Sequence, residues 1–191
     1  MEKSIIIAGV GGQGTLIAAK IIGAAAQAFG LDIKVSECHG MSQRGGSVIT
    51  YAIFSDKKVH SPVVTANADI ILAFEQLEAY RMLPFLKKGG TIVASTQQMN
   101  PMPVISGAMN YPENIPEKIK SLGVKIICAD ALNLALQAGN QKCANVVIIG
   151  ALAAHLCEIP KEIWIDALKN SVPQKFLDEN LKAFESGYAV K

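Results

Sequence analysis

The sequence predicts an α/β fold: a Rossmann-like three-layer sandwich with a mostly parallel sheet, a β-hairpin insertion and a helical C-terminal segment. Three observations favour this fold class. Short runs of apolar, β-branched residues alternate with helical segments along the chain. A glycine-rich turn at residues 9–14 joins the first apolar run to an Ala-rich helix, as in βαβ units. The length of 191 residues suits a single domain, which we assign to residues 1–191.

The composition is apolar for a chain with this fold. Hydrophobic residues make up 50% and charged residues 18%, against about 25% charged residues in typical domains. A parallel sheet covered on both faces accounts for part of this excess. A large permanent interface would account for the rest, since such interfaces resemble a core cut in half. The composition therefore favours a subunit of a complex over a free monomer.

Charge and cysteine usage argue against several classes of function. The net charge is +2 and the basic residues are scattered, so a nucleic-acid partner is not indicated. Cys38, Cys128, Cys143 and Cys157 form no Cys-x-x-Cys pair, so we expect no metal ligation by this chain and interpret them as small buried groups. No segment approaches the ~18 apolar residues of a membrane span. The N-terminal residues are typical of a strand and not of a signal sequence, so we expect a cytoplasmic protein without a membrane partner.

The first elements predict a βαβ unit with a strand at 4–8, a helix at 14–29 and a strand at 33–36. Gly30 follows the helix as its C-terminal cap. Glu37 stands 23 residues after Gly14, and dinucleotide-binding proteins carry a ribose-binding carboxylate about 20 residues beyond this motif. A solvated glutamate at a strand end explains Glu37 equally well.

The turn itself offers Gly9, Gly11, Gly12, Gln13 and Gly14 as candidate cofactor-binding residues. Glycine permits a tight turn, lets a ligand approach the backbone and lets helix and strand pack closely. Free N–H groups at the helix start suit an anion such as phosphate. Close packing alone also requires glycine, so the motif by itself does not establish a nucleotide site.

A second polar, glycine-rich loop follows at residues 38–46, between two predicted strands. Its candidate binding residues are Ser42, Gln43, Arg44, Gly45 and Gly46. Hydrogen-bond donors cluster here, and the planar guanidinium of Arg44 suits a carboxylate or phosphate. Loops at the carboxyl ends of strands often carry sites. The alternative is a structural loop in which Arg44 pairs with Glu37 or with a partner chain.

Four further strands are predicted from apolar runs, at 47–54, 70–74, 91–95 and 124–128. After the first of these, a turn at 56–58 and a return through 59–62 predict the β-hairpin insertion. Residues 96–111 contain two prolines and a glycine and predict a long surface loop that acts as a lid or a partner contact.

Six further helices are predicted, at 75–86, 116–123, 131–137, 143–157, 161–170 and 174–184. Pro84 should shorten or kink the first of them, and Asp130 should cap the third. The helix at 143–157 is apolar on most sides, so we expect it to be buried in the core or against another subunit.

No catalytic residues are predicted, because neither a Ser/His/Asp or Cys/His arrangement nor a pair of catalytic carboxylates stands out. A glycine-rich turn and a donor-rich loop without a nucleophile indicate binding and positioning.

Four stretches together resemble the gamma domain of the 2-oxoacid:ferredoxin (or flavodoxin) oxidoreductases. They lie at 9–14, 37–48, 73–79 and 145–151, and the piece Gly40-Met41-Ser42-Gln43-Arg44-Gly45-Gly46 is the most specific. Within the family the similarity points to the small (beta) subunits of the indolepyruvate type. The resemblance covers most of the chain.

This resemblance implies a non-redox subunit, inactive alone, of an enzyme that oxidatively decarboxylates an aryl 2-oxoacid, with coenzyme A as co-substrate, to an acyl-CoA and reduced ferredoxin. It places thiamine diphosphate and the iron–sulfur clusters on a large alpha subunit and none firmly on this chain. Arg44 and the turn 9–14 become candidates for holding the coenzyme A phosphates. The apolar composition also allows a homo-oligomer when the chain is isolated.

Three other functions fit parts of the sequence. A free-standing NAD- or FAD-dependent oxidoreductase would use the same turn and Glu37, but would need a catalytic acid or base. An adenylating enzyme of the ubiquitin-activating type shares only the turn. A ligand-free assembly protein needs no site at all, since an apolar interface explains the composition.

Overall fold

The computed structural model describes residues 1–39, 45–61 and 67–190. Its strands are β1 (Glu2–Val10), β2 (Asp32–His39), β3 (Ser47–Ser55), β4 (Ala68–Ala73), β5 (Leu86–Ser95) and β6 (Lys125–Ala129). They form one sheet in the order β2-β3-β1-β4-β5-β6, in which β1, β4, β5 and β6 run parallel. This confirms the predicted α/β fold with a mostly parallel sheet.

The helices in the described ranges are α1 (Thr15–Ala28), α2 (Gln76–Met82), α3 (Met102–Ile105), α4 (Ile115–Ser121), α5 (Ala131–Gln137), α6 (Ala144–His155), α7 (Lys161–Lys169) and α8 (Leu177–Tyr188). Short 3-10 turns lie at Leu83–Phe85, Gln141–Cys143 and Gln174–Phe176. None of these helices is long and apolar enough to cross a membrane.

The hairpin is built from different strands than the sequence predicts. β3 runs antiparallel to both β1 and β2, so the hairpin is β2–β3, and residues 56–61 form no strand. A return strand would need a free edge of β3, and both edges are already paired. The carboxylate of Asp32 instead accepts the N–H of Val59, with a nitrogen–oxygen distance of 2.7 Å. β3 consequently separates β1 from β2 within the predicted βαβ unit.

The two faces of the sheet carry separate apolar cores, because alternate residues of β1 point to opposite sides. Ile5 and Ile7 pack with α1, α6 and α8, whereas Ile6 and Ala8 pack with α2 and α4. All four side chains are completely buried. A strand that is covered on both faces has a continuous run of apolar residues, and this run is the reason that the sequence predicts β1.

Helix α6 lies within the core of this chain, and its closest neighbour is α8. A Cβ atom added to Gly187 would overlap the carbonyl oxygen of Val147 and lie 2.7 Å from its carbonyl carbon. One added to Gly150 would lie 2.8 Å from the backbone nitrogen of Tyr188. The two helices therefore touch through their backbones, and the apolar character of α6 needs no second subunit to explain it.

The two predicted helix caps, Gly30 and Asp130, are confirmed. Gly30 (φ 86°) ends α1 in a Schellman motif. The N–H of Gly30 donates to the carbonyl of Gln27, and the N–H of Leu31 donates to the carbonyl of Ala26. Asp130 caps α5 by accepting the N–H of Asn133 at 3.2 Å.

Helix α2 is shorter than the predicted 75–86. Pro84 lies in the 3-10 turn that follows α2, and Gly89 and Gly90 belong to β5 instead of ending the helix. The register between β4 and β5 shifts at this point, and Gly89 (φ 80°) supplies the left-handed conformation.

The interpretation of the cysteines as buried groups was wrong for two of them. Cys143 is buried and Cys128 half-buried, but Cys38 and Cys157 are exposed. Burial raises the pKa of the Cys128 and Cys143 thiols. Across the described ranges, no three His, Cys, Asp or Glu side chains come together as a metal site.

Candidate anion-binding cleft

The candidate site lies at the carboxyl ends of β1, β4 and β5. α1 follows β1 onto one face of the sheet, while α2 follows β4 onto the other. Adjacent parallel strands whose helices leave on opposite faces open a crevice between them, and ligands of open α/β sheets bind there. A cleft of about 470 Å³ occupies this position. Its polar lining residues are Gln13, Ser95, Gln97, Gln141, Lys142 and Asn145.

The glycines of the turn have different surroundings. A Cβ atom on Gly9 would lie 3.2 Å from the ring of Phe74, and one on Gly14 would lie 2.5 Å from Nδ2 of Asn145. A Cβ on Gly12 would meet no atom within 4 Å. Gly12 (φ 103°) and Gly14 (φ 83°) both adopt left-handed conformations. Gly9 and Gly14 thus allow close packing, while Gly12 leaves the backbone accessible from the cleft.

Gln13 ties the turn to the neighbouring strands. Its Oε1 accepts the N–H of Val10 at 2.8 Å, and its Nε2 donates to the carbonyl of Phe74 at 3.1 Å. The same Nε2 lies 3.2 Å from Oε1 of Gln97. Both the donor and the acceptor atom of the Gln13 side chain are thus engaged within the protein. We therefore interpret Gln13 as a residue that positions the turn.

The electrostatics of the cleft favour an anion. The N-termini of α1 and α6 both border it, through Gly14 and Ala144, and helix N-termini carry partial positive charge. Lys142 adds a full positive charge, and none of the described lining residues is acidic. Ile17 and Leu132 give the rim apolar surface beside these groups. The cleft can therefore bind a ligand that combines a phosphate or carboxylate with an apolar portion.

The end of the second predicted loop meets the turn. The N–H of Gly11 donates to the carbonyl of Gly46 at 2.9 Å, and Gly45 (φ 76°) is left-handed. A second hollow of about 430 Å³ lies between the turn and Val48 at the start of β3. Ser42, Gln43 and Arg44, together with Gly40 and Met41, lie outside the described residues.

Glu37 is not brought to the turn. It pairs with Thr50 of β3, which in turn pairs with Ile7 of β1. Two strand spacings, about 10 Å, therefore separate Glu37 from β1. The ribose-binding interpretation depends on β2 lying beside β1, and β3 occupies that place.

Two buried carboxylates, Glu75 and Glu78, lie at the start of α2. Glu75 is 1% exposed and accepts the N–H of Glu78 at 2.9 Å, the N–H of Met99 at 3.1 Å and the hydroxyl of Tyr111. Burial, together with the hydrogen bond to Glu75 and its negative charge, raises the pKa of Tyr111.

Glu78 is 2% exposed and holds the start of β3. Its carboxylate accepts the Ser47 hydroxyl and an Arg81 N–H, both at 2.5 Å. Both carboxylates lie in the stretch 73–79 that carries the family resemblance, but their residue type and position at the start of α2 suggest only a helix cap.

Comparison with known proteins gives a match over nearly the whole chain. The pattern of the pyruvate ferredoxin/flavodoxin oxidoreductase family matches residues 4–190. The chain belongs to this family. A relative in the family, the indolepyruvate oxidoreductase subunit IorB of Thermococcus kodakarensis, is 42% identical over 97% of this chain and 94% of its own length. The resemblance stated from the sequence motifs is thereby confirmed, and the chain is homologous to subunits of oxidoreductase complexes.

Solved structures of two ferredoxin oxidoreductases share the fold. The gamma subunit of keto/oxoacid ferredoxin oxidoreductase from Geobacter sulfurreducens is 26% identical, with a TM-score of 0.72, and the match covers 97% of this chain and 96% of that one. The 2-oxoglutarate:ferredoxin oxidoreductase chain from Magnetococcus marinus, described with 2-oxoglutarate, coenzyme A and succinyl-CoA bound, is 22% identical with a TM-score of 0.77. That match covers 98% of this chain but 30% of the longer one, so there the fold is one part of a larger polypeptide.

Proposed function

We propose that this chain is the small subunit of an indolepyruvate:ferredoxin oxidoreductase, which oxidatively decarboxylates an aryl 2-oxoacid to an acyl-CoA. The observation that carries the proposal is the 42% identity to an indolepyruvate oxidoreductase subunit along almost the full length of both chains. The apolar composition, which favours a subunit over a free monomer, supports it.

The redox chemistry belongs, in this proposal, to a large alpha subunit that carries thiamine diphosphate and iron–sulfur clusters and passes electrons to ferredoxin. Thiamine diphosphate supplies carbanion chemistry when bound, and the clusters carry electrons. The cysteines of this chain do not suit a cluster, because Cys38, Cys128 and Cys143 lie on three different elements and Cys157 follows α6, and no three potential ligands come together among the described residues. We therefore assign this chain no step that passes through either group.

The part assigned to this chain is to hold coenzyme A by its phosphates. The helix N-termini at the cleft, the accessible backbone at Gly12 and the ammonium of Lys142 are groups that bind phosphate. The apolar rim at Ile17 and Leu132 suits the uncharged arm of the same molecule. Arg44 lies outside the described residues, and its guanidinium is assigned a bidentate phosphate contact on its chemistry alone.

Reconstitution of the complex tests the subunit assignment. The small and large chains, co-expressed and purified together, should reduce ferredoxin in the presence of indolepyruvate and coenzyme A, and each chain alone should not. Turnover of a 2-oxoacid by this chain alone would overturn the assignment, as would failure of the two chains to assemble.

The coenzyme A assignment has its own test in the assembled enzyme. Arg44→Ala and Lys142→Ala should each raise the apparent KM for coenzyme A about tenfold, the worth of one charge-assisted contact, and leave the KM for the 2-oxoacid unchanged. Lys88→Ala is the matched control, since Lys88 is exposed at the opposite, amino end of β5. An unchanged coenzyme A KM in both variants would reject the role and favour a ligand-free assembly protein.

A further inference from the structure

An exposed apolar segment projects from the same edge of the sheet as the cleft. Met102, Ile105 and Met109 are 70%, 65% and 64% exposed, the highest values among the large hydrophobic residues of the described chain. Met102 and Ile105 lie three residues apart on α3 and so share one face. Exposed apolar side chains that cluster in this way mark an interaction surface more often than singly scattered ones do.

The segment is held in place at both ends by one buried carboxylate. Glu75 accepts the N–H of Met99 before α3 and the hydroxyl of Tyr111 after it. Within the segment, the N–H of Met109 donates to the carbonyl of Pro103 at 3.0 Å. We call residues 99–111 the arm. An arm fixed in advance loses little conformational entropy when a partner covers it.

We propose that the arm inserts Met102, Ile105 and Met109 into an uncharged apolar groove on the large subunit of the complex. The proposal rests on the function proposed above and adds the surface through which assembly occurs.

The lack of charged residues in the arm favours an apolar, uncharged surface as its partner. Every residue from Gly89 to Pro112 is uncharged, although charged residues are 18% of the chain as a whole. Placing charged groups of a partner against this surface would desolvate them without compensation, so the complementary surface is apolar and uncharged.

Area favours a large partner over a second copy of this chain. A stable two-fold dimer buries about 800 Å² per partner and uses about 20–30 residues a side, more than two arms can supply to each other. A groove in a larger chain can surround the arm on several sides. It can also extend over the rim of the neighbouring cleft, because Gln97 lies two residues before the arm and lines that cleft beside Leu132.

The experiment compares assembly of three co-expressed complexes by mass photometry during dilution from micromolar to nanomolar concentration. The test variant carries Met102→Gln, Ile105→Gln and Met109→Gln. The control is Leu122→Gln, at a residue that is 61% exposed but lies after α4, outside the arm. Far-UV circular dichroism and the thermal midpoint of the isolated chains establish that each variant is folded.

We expect the triple variant to raise the dissociation constant of the complex at least tenfold, and Leu122→Gln to leave it within twofold of the wild type. Equal dissociation constants for the triple variant and the wild type would overturn the arm as the docking surface while leaving the proposed function intact. Loss of self-association of the isolated chain without a change in the complex would identify a second copy as the occupant and also overturn it. If the wild-type chains do not assemble, the proposed function and the docking proposal fall together.

Discussion

Glycines occur both where α6 crosses α8 and in the turn 9–14. The sequence does not show that these glycines have different surroundings, but the structure does. At the crossing, a Cβ on Gly187 would overlap the backbone of Val147. In the turn, a Cβ on Gly12 would meet nothing within 4 Å, while one on Gly14 would press on a single side chain, that of Asn145. Glycine lets two helix backbones touch at the crossing, whereas Gly12 leaves the backbone of the turn accessible from the cleft. What surrounds the missing Cβ shows whether a glycine is needed for close packing or leaves the backbone accessible.

The largest expected effect is that of Gly187→Ala at the crossing. A backbone cannot move aside as a side chain can, so the added methyl group should lower the free energy of unfolding by about 3 kcal/mol or more. Urea denaturation measures it. Gly23→Ala is the matched control, because Gly23 lies inside α1 with open space around its Cβ, and alanine there should stabilise by up to about 1 kcal/mol. Equal effects of the two changes would contradict the backbone contact between α6 and α8.

A smaller effect is expected for Gly14→Ala in the turn. The left-handed conformation costs about 1–2 kcal/mol for a residue with a Cβ, and the contact with Asn145 adds to that cost. In an Asn145→Ala background the added cost should largely disappear, because the clashing amide is gone. A double-mutant cycle in urea measures the coupling, and a coupling near zero would mean that Asn145 does not press on Gly14.

The smallest effect is expected at Glu75, whose carboxylate accepts backbone N–H groups from two different segments. Tyr111→Phe should cost about 1.5 kcal/mol at neutral pH, the lower end of the net worth of one hydrogen bond to a charged group. The folded-state pKa of Tyr111 is raised above the unfolded value, so its contribution is fully present below about pH 10 and is lost as the pH rises further. The difference in stability between wild type and Tyr111→Phe should therefore shrink above that pH. A difference that stays constant in alkaline urea titrations would contradict the Glu75 contact.

The sequence predicted the elements that depend on neighbouring residues. The run Ile5–Ile7 is apolar because both faces of β1 are covered, and Gly30 and Asp130 end or begin their helices through bonds spanning a few residues. The hairpin partner was predicted wrongly because strand pairing is a competition among distant segments, and β2 takes the edge of β3 that a return strand would need. The sequence predicted only one side of the cleft, the turn 9–14. The other side includes Lys142 and Asn145, which lie more than 120 residues further along the chain.

The amino-acid sequence by itself determined the α/β class, the glycine turn at the head of α1, most helix ends and the family, since each depends on local pattern or on motifs that can be read along the chain. Only the tertiary structure decided which strands pair, that Glu37 stands two strands from the turn, that Glu75 holds both ends of the arm, and that Gly150 and Gly187 let two helices touch. The physical reason is that these contacts join residues far apart in sequence. They form where packing brings the backbones together, and no local propensity records them.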